Sequence, residues 1–164
     1  MNNLFILIRY ILTALLAYSA GFYFSDFFMP ETAMIGGLWA VISGFILDED
    51  LNKATLFNTA KNRIVGTGIG SVLSAVYLLY IPFNVLTFTV LIMVCSFVCL
   101  LFSYNQYIKL ANITIAVIVI VSTVTDANPI MNSFLRFIES TTGVLSGIIA
   151  SLICFYLFSK NKVN

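Results

Sequence analysis

Apolar residues in this chain arrive in long blocks, not in the alternating or three-to-four-residue patterns of half-buried strands and helices. The blocks cover residues 4–24, 33–47, 64–81, 83–104, 110–125 and 137–158, with charged residues or proline between them. A helix that crosses the hydrocarbon of a bilayer needs roughly 20 mostly apolar residues, about 17 at the short end. Such a helix is apolar all round, so the lack of amphipathic periodicity is itself a membrane signature. The blocks predict an all-α, polytopic membrane protein of about six transmembrane helices, filling residues 1–164 as a single domain. Arg9 interrupts the first block, where its long stem would let the charge snorkel to the headgroups. The same block could be a cleaved signal peptide, with Ala17-Tyr18-Ser19 at the cleavage site. Its basic region is thin, however, and Phe22, Tyr23 and Phe24 follow without a break, which favours a retained span.

The polar stretch between the second and third blocks has its own order. Asp48, Glu49 and Asp50 open it, Lys61 and Arg63 close it, and Leu51, Ala54, Phe57, Ala60 and Ile64 recur at helical spacing. That arrangement suits a helix dipole and predicts a short amphipathic helix over about residues 48–63 on the cytoplasmic surface. A solvated connector is the plainer alternative. Orientation follows from the basic residues of the short loops. Counted alternately from the N-terminus, one side holds Arg9, Lys53, Lys61, Arg63, Lys109, Lys160 and Lys162, and the other only Arg136. Both termini are expected in the cytoplasm.

Composition narrows the functional classes. Hydrophobic residues make up 60% of the chain and charged residues 9%, too few to coat a soluble domain, so lipid is the expected solvent and partner. The net charge of +1 offers no basic stripe for nucleic acid. With no histidine and no acidic cluster beside a thiol, neither a metal site nor a cofactor is expected, and no nucleophile–base pair suggests an enzyme. Cys95, Cys99 and Cys154 lie in apolar runs and read as packing residues. Asn112-Ile113-Thr114 spells a glycosylation acceptor inside a span, where it cannot serve as one.

A faint internal repeat runs through the chain. Asn62-Arg63 precedes Gly70 and Leu135-Arg136 precedes Gly143 at the same spacing, an offset of about 73 residues or three spans. Three spans per copy would invert the second copy, a 3+3 architecture found among transporters, whose sites lie near the midplane on short or glycine-broken spans. The second block, with Gly36, Gly37 and Gly44, and the fifth, with Asn112 and Thr114, occupy the matching middle positions. Chance similarity between two apolar helices is the alternative. Gly66, Gly70 and Ser74 share one face of the third span, and Gly143, Gly147 and Ser151 share one face of the sixth. Small residues spaced in fours let helix backbones approach closely in lipid, so both series predict helix packing, including packing between copies in a homo-oligomer.

Ionisable residues at the edges of these spans are the candidate functional groups, because charge near hydrocarbon is costly and is kept where it is used. Arg63, Lys61, Arg136 and Glu139 are the candidates, with Trp39 standing mid-span away from the interfacial belt. Each has a plainer reading. Arg63 and Lys61 could anchor at headgroups, Glu139 could pair with Arg136 at i, i+3, and Trp39 could pack against glycine.

The stretch Gly37-Leu38-Trp39-Ala40-Val41-Ile42-Ser43, a polar loop, and then Asn62-Arg63-Ile64-Val65-Gly66-Thr67-Gly68-Ile69-Gly70 resembles the core signature of the fusaric acid resistance (FUSC) proteins. Arg136, Glu139 and Gly143 are similar to that family's second signature. The superfamily includes aromatic acid exporters and is related to plant aluminium-activated malate channels. The resemblance implies a six-helix membrane unit in a bacterial inner membrane. It also implies transport or channel activity toward organic acid anions, aromatic ones among them, in the direction of efflux. Many members carry two such units and a cytoplasmic domain. One unit implies a homo-oligomer, most simply a dimer. A structural or assembly subunit that moves nothing is the competing expectation.

Overall fold

The computed structural model describes residues 3–47, 53–125 and 128–159, and these residues are helical with no strand among them. Six α-helices follow in order: α1 Asn3–Phe28, α2 Ala33–Phe45, α3 Lys53–Tyr80, α4 Val85–Leu101, α5 Asn105–Val124 and α6 Pro129–Ser159. A single 3-10 turn, Pro30–Thr32, joins α1 to α2. Four helices are long and apolar enough to cross a membrane, and α4, at 17 residues, stands at the short limit. α2 has only 13 residues, roughly 20 Å at 1.5 Å per residue, so it falls short of the hydrocarbon thickness by itself. The expectation of two short middle spans holds for α2 and fails for α5, whose helix begins at Asn105 and runs for 20 residues.

Helix ends fall where the local chemistry stops or starts a backbone ladder. Pro82 follows closely on the end of α3, and Asn84 then caps α4, its Oδ1 accepting from the Leu86 amide at 2.9 Å. Asn128 opens α6 in the same way, accepting from the Ile130 and Met131 amides at 3.0 and 3.3 Å, with Pro129 at the first helical position. That cap starts α6 eight residues ahead of the apolar block 137–158, because a helix need not end where the hydrocarbon does. α3 likewise begins at Lys53, ahead of the apolar block 64–81.

The amphipathic helix expected over residues 48–63 is therefore corrected in part. Residues 48–52 lie outside the described residues, and 53–63 form the first turns of α3, with no break before the span. Leu56 and Ala60 are buried there while Ala54 and Phe57 are exposed, so the buried face is not the one the apolar spacing suggested.

The chain divides into two compact units. The first comprises residues 1–61 and 139–164, and the second residues 62–138. The first unit thus holds α1, α2 and most of α6; the second holds α4, α5 and most of α3. Each unit is built from two helices of one half of the chain and the third helix of the other.

The two glycine series do equivalent work in the two units. In the first, a Cβ on Gly143 would overlap the Ala40 carbonyl oxygen of α2, and one on Gly147 would come within 2.9 Å of the Gly44 oxygen. In the second, a Cβ on Gly70 would come within 2.6 Å of the Ala111 oxygen of α5, and one on Gly66 within 2.7 Å of the Leu110 Cβ. Both series hold a helix backbone against a middle helix, α2 or α5. They are consumed inside the chain, so neither is left to join copies as the sequence suggested. Beside the second contact, Tyr77, Cys95, Cys99, Ala111, Ile115 and Val119 form a buried apolar cluster in which the two thiols serve as packing groups.

Substitutions at these contacts test the packing. Gly143→Ala and Gly70→Ala are each expected to destabilise the protein by about 1–3 kcal/mol, the usual cost of overfilling a packed contact. Gly68→Ala, whose Cβ would meet only the Phe137 ring edge at 3.4 Å, is expected to change stability little. Thermal unfolding in detergent, followed by retention on a sizing column, reads the difference.

Candidate functional site

Four charged side chains are buried among the described residues: Arg9, Arg63, Arg136 and Glu139. All four lie on helices apolar enough to span a membrane. In hydrocarbon such groups need protein partners, and their placement in each unit defines the candidate site.

In the first unit, Glu139 of α6 faces α1 and α2. The Ser25 hydroxyl of α1 donates to Glu139 Oε1. A Cβ on Gly36 of α2 would come within 2.6 Å of the same oxygen, so only a glycine leaves room for the carboxyl against that backbone. Two turns further along α2, Ser43 Oγ lies 2.8 Å from the Trp39 carbonyl oxygen and 3.1 Å from Ser140 Oγ of α6. Trp39 itself is buried within this unit. A carboxyl, three hydroxyls and an indole thus lie along one three-helix contact.

Arg9 departs from the snorkelling expectation. It is buried, and its Nη2 donates to the Leu47 carbonyl oxygen just past the end of α2, at 3.1 Å. The last carbonyls of a helix lack intrahelical donors and carry the negative end of its dipole, so a guanidinium is a fitting partner.

In the second unit, Arg63 of α3 and Arg136 of α6 are fully buried, as are Thr67 and Asn132 one turn from each. Neither arginine stands at a helix start, because α3 begins at Lys53 and α6 at Pro129. Asn132 Nδ2 donates to the Ile118 carbonyl oxygen at 3.2 Å and to Ser122 Oγ at 2.8 Å, tying the start of α6 to α5. Asn112 Nδ2 donates to Ser96 Oγ at 2.8 Å, tying α5 to α4.

Of the five sequence candidates, Arg63 and Arg136 fall in the second unit, while Glu139 and Trp39 fall in the first. Lys61 is exposed and stands apart from the buried set. Sequence reasoning missed Ser25, Ser140, Asn132 and the burial of Arg9. Serines at 25 and 140 stand in apolar helices with no charge in their own turn to draw attention, and only the fold brings Ser25 to Glu139.

The helices and their buried charges define a multi-pass membrane protein. The family model described as fusaric acid resistance protein-like matches residues 16–150. The chain belongs to that family, one of membrane transport and resistance. No curated protein and no solved structure gives a significant match.

The Arg9 contact has a measurable consequence. Arg9→Met keeps the apolar stem and removes the charge-assisted bond to Leu47, at an expected cost of about 1.5–3 kcal/mol. Arg9→Lys keeps a donor and is expected to recover part of it. The midpoint of thermal unfolding in detergent separates the two.

Proposed function

We propose that this chain moves small organic anions, aromatic acids among them, across the inner membrane of a bacterial cell in the direction of efflux. The observation that carries the reading is the complete burial of Arg63 and Arg136 in membrane-spanning helices. Hydrocarbon strips an anion of its hydration, and fixed cations are the means of replacing it. A unit charge attracts an opposite one at 4 Å by about 4 kcal/mol at an effective dielectric constant of 20, and by about 1 kcal/mol in water. The same arginine is therefore worth several times more inside the protein than at a headgroup. The aromatic and exporter elements of the reading rest on family membership.

Glu139 fits the same picture from the other side. A carboxylate repels an anion, so a seat that holds it against Ser25 and the Gly36 backbone keeps its orientation fixed relative to α1 and α2. Trp39, in the same contact, is the candidate for packing against an aromatic ring.

Flux of labelled aromatic and aliphatic carboxylates into proteoliposomes tests the reading. Losing about 1.4 kcal/mol of attraction at the barrier slows passage about tenfold. Arg63→Gln is expected to lower flux by at least that factor, and Arg63→Lys to retain part of it. Lys109→Gln, which changes an exposed basic residue of α5, is the control and is expected to leave flux unchanged. Equal flux in wild type and Arg63→Gln, counted per folded protein, would sink the assignment of Arg63. No flux in wild type with any carboxylate would leave an assembly subunit as the better reading.

Topology has its own test. Seven of the 8 basic residues fall on one side, so reporter fusions at both termini are expected to report cytoplasm. A periplasmic signal from either end would contradict it.

A further inference from the structure

We propose that Asn132 is a specificity-determining residue for anion passage. It fixes the height of Arg136 against α5 and keeps a neutral group where a carboxylate would cancel that charge. This rests on the reading of Arg136 as a cation that meets the anion, and the experiment below separates the two.

The tie itself is the first observation. Asn132 lies in the first turn of α6 and is fully buried. Its Nδ2 donates to the Ile118 carbonyl oxygen of α5 at 3.2 Å and to Ser122 Oγ of α5 at 2.8 Å. A primary amide has two N–H donors, and both are spent on one neighbouring helix. Arg136 follows four residues later on the same face of α6, roughly 6 Å along the axis. The segment that carries Arg136 is therefore held in register with α5 at the turn just before it.

The second observation is what the amide leaves over. Asn132 Oδ1 is buried and has no hydrogen-bond partner among the described residues. Asn112, which ties α5 to α4 through Ser96, leaves its Oδ1 over in the same way, but α5 carries no buried charge. Of the two amides, Asn132 alone stands one turn from a buried guanidinium.

Charge is the third. The described residues of the second unit include two buried arginines and no aspartate or glutamate. Its other buried polar side chains are hydroxyls and the Asn132 amide. On α6, Arg136 already has one acidic neighbour in sequence, Glu139, three residues on, whose carboxylate accepts from Ser25. Those two formal charges sum to zero. Aspartate at 132, nearly the size of asparagine, would turn the segment net negative in a place where charge acts strongly, and would repel an anion. The amide supplies the tie without that charge.

Flux of labelled benzoate in proteoliposomes of the full chain tests this, with the thermal midpoint of each variant measured beside it. Asn132→Ala and Asn132→Asp both lose the two donated bonds, so their midpoints are expected to fall alike. In transport they are expected to part. Asn132→Ala should raise the benzoate concentration for half-maximal flux about threefold and Asn132→Asp about tenfold, with maximal flux per folded protein little changed. Asn112→Ala loses an amide bond of the same kind between helices and is expected to keep the wild-type value. If the Asn132 variants fail to fold, Ser122→Ala removes one bond and leaves the other, with an expected shift of about twofold. Ser122→Thr keeps the hydroxyl and is expected to give no shift. Equal half-saturation in Asn132→Ala and Asn132→Asp would make Asn132 an anchor of α6 only and overturn the proposal. So would a wild-type value in Ser122→Ala where that variant decides it. Arg136→Gln checks the underlying reading: a wild-type half-saturation there, or no benzoate flux in the wild type, removes both. A raised one keeps the reading, and Asn132 then stands or falls on the alanine–aspartate comparison.

Discussion

Moving a guanidinium or a carboxylate into hydrocarbon costs a few kcal/mol even by the more lenient scales. Arg9, Arg63, Arg136 and Glu139 all bear that cost. The rest of the described architecture is arranged around meeting it. Arg9 is answered by a carbonyl at the end of α2, and Glu139 by the Ser25 hydroxyl. Both partners arrive from other helices, so both bonds also set how α1, α2 and α6 pack. In a soluble protein these groups could have turned outward; in lipid the polar contacts and the packing are one problem.

The glycines are the other half of the solution. A carboxyl on α6 can reach a hydroxyl on α1 across α2 only if the backbones lie closer than ordinary side chains permit. Gly36 leaves that space beside Glu139, while Gly143 and Gly147 bring α6 onto α2. Substituting a larger residue at Gly143 would therefore act twice, through overlap with Ala40 and through the separation of Glu139 from its seat. The second unit repeats the device with Gly66 and Gly70 against α5. The third helix of each half supplies the glycines, and the middle helix of the other half receives them.

The class of fold was legible in the sequence because lipid imposes a crude rule, long apolar blocks, that composition alone satisfies. Boundaries were less legible. Block edges marked hydrocarbon and not helix ends, so α3 and α6 were cut short by 11 and 8 residues relative to Lys53 and Pro129. The Asn128-Pro129 pair was a readable start signal for α6 that apolar counting overrode. Among the site residues, Arg63, Arg136 and Glu139 announced themselves by charge. Ser25 did not, because a serine in an apolar helix is far more often bonded to its own backbone, as Ser151 is here. Arg9 was read as snorkelling because its distance from the chain end suggested a nearby interface. The acceptor at Leu47 is 38 residues away in sequence.

Small residues show most plainly where sequence runs out. Gly66 and Gly70 lie four apart on α3, and Gly68, Ser71 and Ala75 follow at spacings of three and four on an adjacent face. Pattern alone gives the two stripes equal standing. They differ in what they meet: the first lies against the α5 backbone, and the second opens on a hollow with a single ring edge nearby. A methyl group is excluded from the first by the chain itself and admitted by the second. The distinction lies in the packing, one step above the sequence, and it separates a stripe that holds two helices together from one that does not.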